Sequence, residues 1–192
     1  YVTLALAALS KETSLLAGAG LDPGPATTAG AGVGSPRRWG RLLLVLAGIA
    51  APLLAWMAYV RLKFGPAEDP GMGNFTLPFA GFVEKVGFVA RDLVSPDATA
   101  FSWATLATVT ALAMQWLFFA VRWRPAERWW RIGAAFAFMM VFLSTPVWEG
   151  YPGAATRVLL PMTLAFNILV PRGRRWLAIL LVGNLTVTAT FF

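Results

Sequence analysis

The chain alternates long apolar runs with short polar connections. Residues 42–60, 101–121, 132–147, 151–170 and 176–192 are almost free of charge. Each approaches the roughly 20 apolar residues a helix needs to cross a hydrocarbon core. Arginines gather at every second connection: 36–41 (PRRWGR), 122–131 (RWRPAERWWR) and 171–175 (PRGRR). Only a helix crosses lipid as a single segment, because it satisfies its backbone hydrogen bonds internally. The pattern predicts an all-α fold, a polytopic transmembrane helix bundle. Residues 1–9 read as the end of a further span and 10–41 as a cytoplasmic linker, its 17–36 stretch rich in Gly, Ala, Pro and Thr.

Charge fixes the orientation. With the three basic connections inside, eleven of the sixteen Lys and Arg are cytoplasmic: Lys11, Arg37, Arg38, Arg41, Arg122, Arg124, Arg128, Arg131, Arg172, Arg174 and Arg175. Five are outside (Arg61, Lys63, Lys85, Arg91 and Arg157), with six of the nine acids. This bias agrees with the strict alternation of spans. The net charge of +7 therefore belongs to topology and lipid headgroups, and nucleic acid is not an expected partner. Trp39, Trp123, Trp129, Trp130 and Trp176 stand beside those arginines, as in an interfacial aromatic belt.

One external connection, 66–100, is long. After a turn-rich start (PAEDPGMGN), Phe79, Phe82, Val83, Val86, Val89, Ala90 and Leu93 recur at helical spacing, with Glu84, Lys85, Arg91 and Asp92 on other faces. Residues 79–93 are predicted to be a periplasmic amphipathic helix lying in the interface.

The chain of 192 residues has an apolar fraction of 58%, and it has no Cys and no His. Disulfides, thiol and imidazole chemistry and the common zinc sites are thereby excluded from it. The first residue is Tyr1 and the last apolar run ends at Phe192, so the expectation is a fragment of a longer protein. Among intramembrane polar groups, Gln115, Asn167 and Asn184 are expected to join neighbouring helices.

Arg157 is the most telling residue. Only about 13 residues separate it from Pro171, which as helix cover roughly 20 Å, short of a core of about 30 Å. The helix must begin near Tyr151 or Pro152, which puts Arg157 in the outer third of the span. Glu149 is expected to reach it around the Gly-Tyr-Pro-Gly turn. Two readings stand: a structural ion pair or snorkelling arginine, and an arginine gripping a lipid-linked phosphate with its planar fork.

Three segments together resemble the GT-C class of integral-membrane glycosyltransferases: LAALSKETSLL at 6–16, the helix following GNFTLPF, and EGYPGAATRVLLPMTLAFN at 149–167. The resemblance implies a multi-pass enzyme of the bacterial inner (plasma) membrane. It would move a sugar from a polyprenyl-phosphate donor to a cell-envelope glycan or lipid acceptor on the periplasmic side. It further implies that Arg157 binds the lipid phosphate and that Glu149 orients it or meets the acceptor. The family's catalytic acid lies in the first periplasmic loop. No segment here corresponds, so that acid is expected upstream. Some relatives use a divalent metal, but Glu149 has no local carboxylate partner, and no cofactor is expected. A transporter or flippase of a lipid-linked substrate and a non-catalytic membrane subunit stay open. The topology makes a direct prediction. In this Cys-free chain, a cysteine at Ala126 reacts with impermeant maleimide only after the cytoplasmic face is opened, whereas one at Pro78 reacts from outside. The reverse pattern would overturn the orientation.

Overall fold

A computed structural model of the chain describes residues 12–21, 36–64, 72–96, 98–149 and 154–187. The expected span end at 1–9, most of the Gly-rich linker, the Gly-Tyr-Pro-Gly turn and residues 188–192 lie outside the described residues. Among the described residues the structure is all helical, apart from one isolated β-bridge. The chain divides into two units, Tyr1–Glu68 and Asp69–Phe192.

The first unit holds a 3₁₀ segment, Glu12–Gly20, and a long helix α1, Pro36–Phe64. Leu15, Leu16 and Ala17, within the stretch read as linker, belong to this 3₁₀ run. Within α1 the apolar segment Leu43–Lys63 is long enough to cross a membrane. Pro52 sits inside it and has no N–H for the Gly48 carbonyl, the usual setting for a kink.

The second unit contains α2 (Ala80–Val94), α3 (Ala100–Val121), α4 (Arg128–Phe142), α5 (Thr145–Trp148), α6 (Ala154–Val158), α7 (Leu160–Leu169) and α8 (Arg174–Gly183). α3 is the second helix of membrane-crossing length and hydropathy. Helix α4 packs along α7 and α3, and α3 also packs on α8 and α2. The centre is closed: Ala111, Leu112, Leu159, Met162, Ala165 and Phe166 are buried. Phe118 of α3 meets the Phe166 ring edge-on at 5.2 Å. Large apolar side chains also lie outside, among them Phe138, Leu160, Leu164, Ile168, Leu177 and Leu181. So many exposed apolar groups on one unit mark surfaces that water does not suit.

Two expected spans are interrupted, both at prolines. The 132–147 run is helical only to Phe142, then extended at Leu143 and Ser144 before α5. Pro146 has no N–H for the Phe142 carbonyl, and its ring would strike that oxygen if the helix continued. The 151–170 run breaks at Leu159, because Pro161 likewise cannot serve the Arg157 carbonyl. The last run is α-helical over Arg174–Gly183 and 3₁₀ at residues 185–187, the last of the described residues.

Polar side chains join α3, α7 and α8, as the sequence pattern led one to expect for Gln115, Asn167 and Asn184. The fully buried Gln115 donates to the Gly183 carbonyl at 2.7 Å and accepts from the Thr163 hydroxyl at 2.9 Å. Asn167 and Asn184 exchange amide hydrogen bonds at 2.9 and 2.8 Å. Close approach depends on two glycines. A Cβ at Gly133 would overlap the Phe119 ring, and one at Gly183 would overlap Phe166. Gly133→Val should therefore cost about 1–3 kcal/mol through overpacking. Gly87→Val, where nothing lies within 4 Å, is the control. Denaturation midpoints in mixed micelles measure both, and equal midpoints would contradict the packing.

Candidate functional site

The site is built from α2 outward. Phe79, just before the helix, adopts φ 60°, which strains a non-glycine residue. Its N–H gains the Val141 carbonyl at 2.6 Å, and its ring meets Trp116 edge-on at 5.2 Å. Thr76 donates to the Phe142 carbonyl at 2.8 Å, and Ser144 N–H donates to the Asn74 carbonyl at 2.9 Å. The Ser144 hydroxyl adds a bond to the Gly73 carbonyl. Phe75 and Leu143 are bridged antiparallel. The segment 73–79 thus takes up the backbone groups released where α4 ends. Gly81 completes the fit: a Cβ there would overlap the Leu143 carbonyl.

Helix α2 confirms the helical part of the 79–93 expectation and has three distinct rows. Phe82 and Val89 pack inward, Phe82 against Trp148 at 5.5 Å. Val83, Val86, Ala90 and Val94 form an exposed apolar row. Glu84, Phe88 and Arg91 form a third, and it lines a cleft. At its far end α2 is tied to α3 by the Ser102 hydroxyl, which donates to the Asp92 carboxylate. Thr99 and Ser102 also cap the first turn of α3, the Thr99 N–H donating to Ser102 Oγ at 3.2 Å.

The cleft has a volume of about 330 Å³ and is lined by Glu84, Lys85, Phe88, Arg91, Phe101, Thr145 and Glu149. Thr145 Oγ1 donates to Glu84 Oε2, holding that carboxylate across from the start of α5. Lys85 Nζ stands over the Phe88 ring, 5.2 Å from its centroid. Burial pushes the Lys85 ammonium below its ordinary range, while the negative charges of Glu149 and then Asp92 pull it back up. The cleft therefore offers two cations, two carboxylates and a hydroxyl, with aromatic walls.

Of the two residues predicted from sequence, Glu149 faces this cleft. Arg157 is exposed in the last turn of α6. Among the described residues no ion pair or hydrogen bond joins them; the cation whose charge Glu149 meets is Lys85. Sequence reasoning placed Glu84, Lys85 and Arg91 on the polar side of α2 without seeing a site. Their signal was the three- and four-residue spacing of Glu84, Phe88 and Arg91. Among the described residues no three carboxylates gather as a metal-binding group. No protein-family model, curated protein or solved structure matches the chain.

The state of Lys85 can be tested through pH. Its folded-state value lies below the 10.5 of a free lysine, so the charged form carries a folding penalty at neutral pH. That penalty is lifted as pH rises through the folded value toward 10.5. The chain has three lysines, Lys11, Lys63 and Lys85, so NMR of ¹³C-methylated protein resolves them. The resonance lost in Lys85→Arg should titrate below 10.5, and lower still in Glu149→Gln. Titration at or above that value would refute the desolvated site.

Proposed function

We propose that the chain is part of a multi-pass glycosyltransferase of the bacterial inner membrane that uses a polyprenyl-phosphate sugar on the periplasmic side. The observation that carries this reading is the cleft beside α2, where Lys85 and Arg91 stand with Glu84 and Glu149. The resemblance of 149–167 to GT-C segments adds to it. So do two helices long and apolar enough to cross a membrane.

In this reading, transfer occurs when the acceptor hydroxyl loses its proton to a carboxylate and its oxygen attacks the anomeric carbon. The bond from that carbon to the phosphate oxygen breaks, and polyprenyl phosphate leaves with the electron pair. Cations are needed where charge grows on the departing phosphate. Arg157 is the arginine assigned to that phosphate, its fork giving two parallel charge-assisted bonds. Lys85 and Arg91 add positive charge at the cleft. Glu149 takes the acceptor side and tempers Lys85. The exposed row Val83, Val86, Ala90 and Val94 gives the isoprenoid tail an apolar shelf.

The test is glycopolymer synthesis by the full-length protein, normalised to its abundance in the membrane. Arg157→Ala and Arg157→Lys should each lower synthesis at least tenfold, since lysine keeps the charge and loses the fork. Glu149→Gln should lower it as well. Undiminished synthesis by both Arg157 variants would end the reading, because a snorkelling arginine is replaced freely by lysine.

A further inference from the structure

The opposite end of the second unit holds a second cleft, also about 330 Å³, between the end of α7, the 171–173 link and the start of α8. Its walls combine Val170, Leu177 and Leu180 with Arg172, Arg174 and Trp176. We propose that it binds the phosphate headgroup of an anionic membrane lipid of the cytoplasmic leaflet. The inference rests on the membrane reading and is independent of glycosyl transfer.

Charge complementarity selects the occupant. The segments 122–131 and 171–175 contribute seven arginines (122, 124, 128, 131, 172, 174 and 175) and one acid, Glu127. That acid is taken by Arg124, at 2.9 Å. The two segments meet at one end of the unit, since the Arg122 guanidinium stacks over the Trp176 ring, 4.2 Å from its centroid. Arg172 and Arg174 are exposed at the cleft. Arginine suits a phosphodiester better than a diffuse cation cloud does, because its planar donors match the phosphate oxygens.

The apolar half of the cleft identifies a lipid as the source of that phosphate. Leu177 lies on the wall and is itself exposed, and Leu181 follows it one turn further along α8. On α7, Leu164 and Ile168 are likewise exposed one turn apart. Acyl chains leaving a headgroup in the cleft would find apolar rows on both helices. A soluble phosphate would gain nothing from them. The volume falls within the usual range for small-ligand sites, about 300–1,000 Å³.

The experiment measures lipid retained by the purified full-length protein, using mass spectrometry after exchange into detergent containing phosphatidylglycerol or phosphatidylcholine. Phosphatidylglycerol should be retained at least tenfold over phosphatidylcholine. Arg172→Gln and Arg174→Gln should each reduce that retention at least fivefold. Arg128→Gln removes the same charge from the same end outside the cleft and should change it less than twofold. Leu177→Trp keeps every charge and fills the apolar wall, so it should also reduce retention. Equal retention of the two lipids, or an equal loss in Arg128→Gln, would overturn the site in favour of a diffuse basic surface. Displacement of the lipid by an excess of glycerol phosphate would overturn the lipid in favour of a soluble phosphate.

Discussion

The second unit is organised around the backbone carbonyls left open where α4 ends ahead of Pro146. An unpaired backbone group in apolar surroundings costs several kcal/mol, so each released oxygen must find a donor. Pro146 cannot serve the Phe142 carbonyl, and the donor is Thr76 N–H, from a segment far away in sequence. Phe79 N–H serves the neighbouring Val141 oxygen and accepts a left-handed backbone to do so. That pairing sets where α2 begins. From there Gly81 can only lie on Leu143, Glu84 meets Thr145, and the polar row of α2 is aimed at α5 and Glu149. The cleft is thus a downstream result of how a broken helix is capped.

A different solution holds the helices together. Apolar contact is non-directional, so close packing and buried hydrogen bonds must supply the specificity. Gly133 and Gly183 let rings rest on helix backbones, while Gln115 joins three helices through one amide. The Asn167–Asn184 pair satisfies both amides within the protein. These contacts have directional requirements that leucine packing lacks, and they pin the rotation of α7 and α8 about their own axes.

Much of this was legible in the residues. The α3 boundaries match the apolar run almost to the residue, α2 follows from its spacing, and Gln115, Asn167 and Asn184 were legible as interhelical amides. The breaks at 143–144 and 159 were missed because apolar periodicity is blind to them: Leu143 and Leu159 continue the pattern, and both are buried. Only Pro146 and Pro161 signalled the change. The meeting of Lys85 with Glu149 was beyond local reading, since it depends on the Thr76–Phe142 pairing, which no spacing rule connects. Arg157 was read through its distance from Pro171, an argument about length that could not say which way the side chain turns.

The pairing of Ser144 with Gly73 also imposes a timetable on synthesis. The two partners are 71 residues apart. At roughly 5–20 residues per second, the ribosome needs roughly 4–14 s to deliver the second after the first. For that interval the donors at 76 and 79 have no carbonyl to meet, and α2 has no fixed start. The cleft therefore comes into existence only late in biogenesis, when α4 has been made and its end exposed. A chain stalled before that point would carry the residues of α2 and α3 with nothing yet for Glu84 or Lys85 to face.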